Sequence, residues 1–229
     1  MLLNVKNTTV FNPLDWLAPH TCRGCGRIGD VICARCKKYI SEKNFNICPI
    51  CKNPKLTGKC PHCPNFPESY CLGKREGILQ ILIHDFKYDS TRAIGVVLSE
   101  LLTGKLPDFP KDSIIVPLPT STRHIRERGF DHTLFITKRI SKIKNLKVEK
   151  LFIRTANTVQ VGSNRKTRLE QAEHAFSINP SIGIKKDVIY ILFDDVWTTG
   201  ASMNAAIKKL REAGAKRIIV TLLATSSLD

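Results

Sequence analysis

Two adjacent carboxylates, Asp194 and Asp195, follow a short apolar run and precede a loop of small and hydroxyl-bearing residues. The loop consists of Thr198, Thr199, Gly200, Ala201 and Ser202. We expect a helix to begin within this loop, so unpaired backbone N–H groups and the positive end of the helix dipole should point out of it. Together with the hydroxyl groups, these donors suit a phosphate.

The two carboxylates would repel a phosphate, but they suit the vicinal hydroxyls of a sugar or a divalent metal. Gly200 has no Cβ atom, which lets a phosphate approach the backbone closely. A phosphate at one end and a diol at the other describe ribose 5-phosphate. The alternative is an ordinary helix N-cap, because Ser, Thr and Asp cap many helices. The complete order of acids, hydroxyls and glycine after an apolar run favours the ligand site.

The chain around this loop has the order strand, loop, helix, strand. Residues 189–193 are apolar and predict a strand. Residues 203–213 predict a helix that ends at Gly214, and residues 218–224 predict a second strand. Parallel neighbours need such a crossover, and open parallel sheets bind ligands at the carboxyl ends of their strands, where the two acids lie. We therefore predict an α/β fold with a parallel sheet flanked by helices.

Further elements follow from the same patterns. Helices are predicted over residues 77–88, 94–102 and 133–143, and strands over residues 114–116 and 148–152.

Eight of the nine cysteines form four Cys-x2-Cys pairs. They are Cys22, Cys25, Cys33, Cys36, Cys48, Cys51, Cys60 and Cys63. Each pair presents two thiolates from one tight turn, and two pairs supply the four tetrahedral sulfur ligands that Zn²⁺ prefers. We predict sequential pairing, the first pair with the second and the third with the fourth, because the loops between these partners are short. Full thiolate ligation leaves no open position for water, so the zinc would be structural.

Other interpretations of the cysteines stay open. Cross-brace pairing and a single occupied site are alternatives, and an iron–sulfur cluster also uses four cysteines. His62 lies within the fourth pair and is an alternative ligand, although a bystander role is favoured. Cys71 has no cysteine nearby in the sequence and is predicted to be a small buried residue.

The net charge of +16 is concentrated in residues 121–168, which carry thirteen basic and three acidic side chains. Such clustering favours a polyanionic partner, the alternative being a solvated helix face followed by a loop. No apolar run is long enough to predict a transmembrane helix, and residues 1–19 lack the pattern of a signal peptide. We therefore expect a cytosolic protein with its cysteines reduced.

Residues 189–202 resemble the phosphoribosyl pyrophosphate signature of type I phosphoribosyltransferases. Other segments narrow the resemblance to the ComF family of cytosolic competence proteins and their GntX-like relatives. These segments are the cysteine pairs, His84-Asp85-Phe86-Lys87-Tyr88, Val116-Pro117-Leu118-Pro119, Arg123 through Arg128-Gly129-Phe130, and Gln160 with Arg165 and Arg168 ahead of Ala175-Phe176. The resemblance implies a type I phosphoribosyltransferase-like domain over residues 71–229. An N-terminal arm and a small zinc-binding domain of the zinc-ribbon type would precede it over residues 1–70.

The resemblance also implies roles for single residues. Asp194 and Asp195 would hold the ribose hydroxyls and Mg²⁺, and residues 198–202 would hold the 5-phosphate. The pyrophosphate or a DNA backbone would be bound by basic side chains, namely Lys87, Arg123, Arg126, Arg128, Arg165, Lys166 and Arg168. Residues 117–121 would lie against the pyrophosphate.

Two features near these residues carry open questions. The basic segment 154–168 would be a mobile loop that closes over the pyrophosphate and excludes water, the alternative being an ordinary surface loop. Relatives often have Asn-Gln after Arg-Gly-Phe, where this chain has Asp131 and His132, so no ligand contact is assigned there.

No catalytic residue is apparent. Purine-salvage relatives have an acidic base three residues beyond the aspartate pair, where this chain has Thr198. The family resemblance implies a cytoplasmic competence protein that binds phosphoribosyl pyrophosphate with Mg²⁺ and single-stranded DNA, and handles incoming DNA during natural transformation. Its further partners would be other DNA-uptake proteins, such as a helicase or an inner-membrane channel that holds it at the inner face of the membrane. The alternative is an active phosphoribosyltransferase with a nucleobase-like acceptor.

Overall fold

The computed structural model describes residues 20–43, 46–89, 91–155 and 175–226. The strands of this part of the chain are β1 (His20–Thr21), β2 (Ile28–Gly29), β3 (Glu68–Lys74), β4 (Ile114–Pro117), β5 (Lys147–Val148), β6 (Phe152–Arg154), β7 (Phe176–Ile178), β8 (Ile189–Trp197) and β9 (Arg217–Thr225). The helices are α1 (Ala34–Lys43), α2 (Gly77–Tyr88), α3 (Arg92–Thr103), α4 (Thr122–Arg128), α5 (His132–Lys144) and α6 (Ala201–Glu212). Each of these helices is too short or too polar to cross a lipid bilayer.

A parallel sheet of five strands, in the order β3-β9-β8-β4-β5, forms the centre of the molecule. Helices cover both faces of the central strand β8. Ile189, Ile191 and Phe193 contribute to one core together with residues of α2, α3 and α5. Tyr190 and Leu192 contribute to the other core together with residues of α6. Successive side chains point to opposite faces and both faces are buried, which explains why the run is apolar without polar alternation.

The predicted α/β class, with a parallel sheet flanked by helices and preceded by a cysteine-rich segment, is confirmed. The helix predicted over residues 203–213 begins two residues earlier, at Ala201, and Gly214 follows its end in the left-handed region with φ +98°. The loop that was expected to hold a phosphate therefore includes the first helical turn.

One predicted strand is wrong. Residues 148–152 do not form a continuous strand, because β5 ends at Val148 and β6 begins at Phe152. The Glu149 N–H still donates to the Ile115 carbonyl at the sheet edge, at 3.0 Å. Beyond it the chain leaves the sheet and β6 pairs antiparallel with β7 as a separate ribbon.

Several elements were not predicted from the sequence, and two of them, β3 and α4, bear on the arrangement of the sheet and its loops. Strand β3 pairs with β9 as the edge of the sheet, although its sequence ESYCLGK lacks the β-branched residues that usually indicate a strand. It runs across residue 70, where the boundary between the two domains is predicted. Helix α4 contains the arginines of residues 122–128, and Ser121 caps its start by accepting from the His124 N–H at 3.2 Å.

The cysteine-rich segment packs against the α/β core. Ile32 precedes the second cysteine pair and Ile40 follows it. Both are buried in the same cluster as Leu79 and Leu82 of α2. Arg23 Nε lies 3.3 Å from Asp85 Oδ2 of the same helix. Helix α2 therefore lies between the cysteine-rich segment and the carboxyl edge of the sheet.

Candidate functional site

The carboxyl ends of β4 and β8 open into a cleft of about 310 Å³. We call it the β8 cleft. Its lining includes Arg75, Lys87, Arg128, His132, Asp194 and Asp195. The two acids thus face a cavity at the edge where parallel sheets bind ligands.

Two basic side chains from different helices meet at one oxygen of Asp195. Lys87 Nζ lies 2.6 Å from Asp195 Oδ2, and His132 Nε2 lies 2.5 Å from the same oxygen. Lys87 comes from the last turn of α2, and His132 is the first residue of α5, after the N-cap Asp131. Because Oδ2 is engaged twice, Oδ1 is the oxygen that stays available to a ligand.

Arg128 fixes the orientation of the histidine ring. Its Nη1 lies 2.9 Å from His132 Nδ1 and 3.3 Å from His132 Nε2, and a guanidinium can only donate. The ring is thereby held with Nε2 facing Asp195. Arg128 is buried, and its guanidinium lies 5.5 Å from the centre of the Tyr88 ring. The result is a hydrogen-bond chain from Arg128 through His132 to Asp195.

The two acids have opposite electrostatic environments. Burial alone raises the pKa of Asp195, but the hydrogen bond from His132 and the charge of Lys87 outweigh it and hold the pKa well below its usual range. Burial and the neighbouring Asp195 carboxylate raise the pKa of Asp194 from 3.8 to about 7. The pair can therefore present one ionised and one protonated carboxyl, which accept from and donate to sugar hydroxyls.

The hydroxyl loop lies at the N-terminus of α6. Gly200 is the N-cap residue and offers no side chain to the first turn. The Ala201 N–H makes only a long contact with Thr199 Oγ1, at 3.4 Å. A small cavity of about 40 Å³ lies against residues 198–202, next to Asp194. The N–H groups of this turn are therefore placed to bind an anion.

Gly200 was expected to let a phosphate approach the backbone, but the structure gives another reason for glycine at this position. A Cβ atom at this position would lie 2.1 Å from Trp197 Cζ2, and the residue has φ +75°. Both the left-handed backbone and the indole ring require glycine, so its role is to let the chain turn over Trp197 into α6.

The cysteines form two groups of four. The first tetrad is Cys22, Cys25, Cys33 and Cys36, and the second tetrad is Cys48, Cys51, Cys60 and Cys63. Within each tetrad all Sγ atoms lie within 4.8 Å of one another. Sulfurs bound tetrahedrally to one zinc at about 2.3 Å would be about 3.8 Å apart. The Sγ atoms of Cys25 and Cys33 are 3.7 Å apart and those of Cys51 and Cys60 are 3.6 Å apart, which matches that separation.

Both tetrads therefore could hold a structural metal ion such as zinc. They unite the first pair with the second and the third with the fourth, which is the sequential arrangement rather than the cross-brace. His62 is in neither tetrad. Cys71 is fully buried on β3, as predicted, and its Sγ donates to the Gly73 carbonyl at 3.2 Å.

Competence protein F of Haemophilus influenzae is 30% identical to this chain over 226 residues, which cover 89% of the chain and 94% of that protein. The chain belongs to the ComF family. Competence protein ComFC of Streptococcus pneumoniae is 24% identical over 200 residues, which cover 82% of this chain and 84% of that protein. No protein-family model matches the sequence.

Among solved structures, a purine phosphoribosyltransferase from Pyrococcus horikoshii is similar to this ComF-family chain. The sequence identity is 19%, the match covers 63% of this chain and 79% of the other, and the TM-score is 0.36. A score this low supports no statement about the chemistry of the ComF-family site.

The structure brings most of the predicted ligand residues together. Asp194, Asp195, Thr198, Ser202, Lys87 and Arg128 line the β8 cleft, and Thr199, Gly200 and Ala201 line the small cavity beside it. Arg123 and Arg126 do not line either cavity, because they lie on the exposed face of α4, where Arg123 pairs with Glu127 at 2.7 Å. The closing loop was predicted over residues 154–168, but Arg154 ends β6. Residues 156–168, with Arg165, Lys166 and Arg168, lie outside the described residues.

Sequence reasoning missed four basic residues of the ComF-family cleft. These are Arg75, His124, His132 and Arg154. His132 was noted as a departure from the family pattern, which is a signal that could have found it. Arg75 follows β3 and Arg154 is the last residue of β6. The sequence did not indicate these strands, so no local pattern pointed to the two arginines.

Proposed function

We propose that this chain binds phosphoribosyl pyrophosphate, together with Mg²⁺, in the β8 cleft. The observation that carries the proposal is the position of Asp194 and Asp195 at the carboxyl end of β8, with the first turn of α6 directly beside them. A sugar diol at the acids and a phosphate at the helix N-terminus are bound by groups of suitable charge. The β8 cleft of about 310 Å³ is the size of a small-molecule site.

Different residues of the chain bind different groups of the ligand. Asp195 stays ionised and accepts from a ribose hydroxyl, held in place by Lys87 and His132. Asp194 donates or accepts according to its protonation. Lys87 is engaged by Asp195, so its role is to hold that carboxylate. Mg²⁺, when bound, would supply charge neutralisation of the pyrophosphate oxygens.

The same chain has a surface suited to single-stranded DNA, which we propose as its second ligand. The basic residues Arg126, Lys138, Lys142 and Lys150 are exposed, and no acidic partner is described for them. Arg128 is buried in the β8 cleft and is not part of this surface. The names of the relatives, competence proteins of Haemophilus influenzae and Streptococcus pneumoniae, support a role in competence. We propose that this role is the handling of incoming DNA during natural transformation, in the cytoplasm and with other DNA-uptake proteins.

Active phosphoribosyl transfer is the second candidate. Arg154 favours it, because its Nη1 donates to the Pro119 carbonyl at 3.1 Å and so places a guanidinium at the loop expected to hold a leaving pyrophosphate. Thr198, where purine-salvage relatives have an acidic base, supports binding without transfer. Release of pyrophosphate in the presence of candidate acceptors would separate the two functions.

Calorimetry tests the binding proposal. Phosphoribosyl pyrophosphate with Mg²⁺ should bind the native chain, and the double variant Asp194→Asn, Asp195→Asn should lose this binding while keeping the size of both side chains. Asp187→Asn is the matched control, because Asp187 is exposed and lies just before the amino-terminal end of β8, away from the cleft at the carboxyl end. Equal affinity in the double variant and the control would refute the proposal.

Fluorescence anisotropy with a labelled single-stranded oligonucleotide tests the DNA proposal. Lys138→Gln with Lys142→Gln should weaken binding and lower the slope of log affinity against log salt by about 0.7 for each lost phosphate contact. The exposed Lys216→Gln serves as the control for lost charge. Affinity that does not change with salt would reject this part of the proposal.

A further inference from the structure

Arg75 lines the β8 cleft, and the proposed function assigns no group of the ligand to it. It follows β3, and its backbone N–H donates to the Thr225 carbonyl at the end of β9, at 2.8 Å. Its side chain is half-buried and lines the cleft, and its Nε is buried without a hydrogen-bond partner. A guanidinium in this state is suited to bind an oxyanion.

The sheet order separates Arg75 from the pyrophosphate side of the cleft. Arg154 contacts Pro119, in the loop after β4, on one side of β8. Arg75 follows β3, which lies on the other side of β8 beyond β9. Strand β3 is three strand spacings from β4, or about 14 Å. The two arginines therefore enter the cleft from strands on opposite sides of β8.

The other cations of the cleft are already engaged. Lys87 contacts Asp195, and Arg128 contacts His132 and the Tyr88 ring. No carboxylate of the described residues pairs with Arg75 or Arg154. Positive charge therefore remains on both sides of Asp194. The pyrophosphate is expected near Arg154 and the 5-phosphate at the first turn of α6, so neither group requires Arg75.

The cleft wall is unsuited to a flat, uncharged base. Phe176 is the one Phe, Tyr or Trp ring among its described lining residues, but it is 3% exposed and packs on Phe152 with ring centres 5.1 Å apart. The sequence of residues 156–174 contains no Phe, Tyr or Trp. Among the described lining residues, an uncharged base would find no exposed Phe, Tyr or Trp ring to stack on, whereas an oxyanion would find a guanidinium.

We propose that Arg75 forms a second anion subsite, which binds a phosphate or carboxylate group of a co-ligand that shares the cleft with phosphoribosyl pyrophosphate. The proposal rests on the proposed function and names the class of the second ligand. Arg75 selects an anionic co-ligand over an uncharged nucleobase.

Calorimetry in two stages tests the subsite. The protein is first titrated with phosphoribosyl pyrophosphate and Mg²⁺, and the saturated complex is then titrated with inorganic phosphate or with adenine. Phosphate should bind the saturated complex and adenine should not. Arg75→Gln should weaken phosphate binding about tenfold or more, because it removes a charge-assisted donor, and should leave the first titration unchanged.

Arg217→Gln is the matched control, since Arg217 is exposed at the opposite, amino-terminal end of the neighbouring strand β9. It should bind phosphate like the native chain. Phosphate binding that Arg75→Gln does not weaken, or adenine binding in place of phosphate, overturns the subsite. So does weaker binding in the first titration, which would assign Arg75 to the 5-phosphate. A native chain that fails the first titration refutes the proposed function instead, and phosphate added to the unliganded protein then still tests Arg75.

Discussion

His132 Nε2 lies 2.5 Å from Asp195 Oδ2, although the two residues are 63 positions apart in the chain. The contact joins the start of α5 to the carboxyl end of β8 and orients a carboxylate that faces the β8 cleft. Lys87 reaches the same oxygen from α2. Asp195 is thus held by two helices that are remote from it in sequence.

We expect His132 to act by positioning Asp195. His132→Leu removes the donor, so affinity for phosphoribosyl pyrophosphate should fall about tenfold or more, the scale of a hydrogen bond to a charged group. His132→Gln keeps an amide donor and should recover most of the affinity. Calorimetry measures both, and thermal unfolding separates lost binding from lost stability. A Leu variant that is stable and binds like the native chain would contradict this role.

The raised pKa of Asp194 predicts a pH dependence of stability. Between about pH 4 and 7 the folded chain retains the Asp194 proton while the unfolded chain releases it, so ionisation favours the unfolded state and the native chain loses stability as pH rises. Asp194→Asn removes this loss.

Urea unfolding across that range measures the difference. The free energy of unfolding of Asp194→Asn relative to the native chain should increase from pH 4 to 7 and stay constant above it. Asp187→Asn, at an exposed position, should show no such trend. A difference between Asp194→Asn and the native chain that does not vary with pH would show that the carboxyl has an ordinary pKa.

Gly200 should be intolerant of substitution. Gly200→Ala places a Cβ against the Trp197 ring in a left-handed backbone, so we expect a loss of about 1–3 kcal/mol in the free energy of unfolding. Gly183→Ala is the matched control, because its Cβ would meet no atom within 4 Å. Equal urea midpoints for the two variants would rule out this packing.

Metal analysis tests the tetrads. We expect two zinc ions per chain in freshly purified protein, with one lost in Cys36→Ser and one lost in Cys60→Ser, because each change removes a ligand from a different tetrad. Cys71→Ala should keep both ions, since Cys71 belongs to neither group. Iron in place of zinc, or loss of both ions from either single variant, would contradict two separate zinc sites.

The local parts of the site could be predicted from the sequence. Asp194 and the hydroxyl loop follow directly on a strand, and each cysteine tetrad lies within 16 residues or fewer. Such motifs carry their ligand groups within one turn or one crossover, so their spacing alone indicates the chemistry.

The partners of these motifs could not be predicted in the same way. His132 and Lys87 reach Asp195 only through the packing of α5 and α2, which no local pattern encodes. Arg123 and Arg128 are both basic and were predicted to share a role in binding pyrophosphate or a DNA backbone. Helix α4 instead directs Arg123 to solvent and Arg128 into the cleft. Arg75 depends on β3, whose sequence resembles a loop.

The most direct test of the central claim is a crystal structure of the chain with phosphoribosyl pyrophosphate and Mg²⁺. The account predicts the ribose hydroxyls within hydrogen-bond distance of Asp194 and Asp195, and the 5-phosphate at the N–H groups of the first turn of α6. A ligand bound elsewhere, with the β8 cleft empty and the Lys87–Asp195–His132 contacts unchanged, would contradict it.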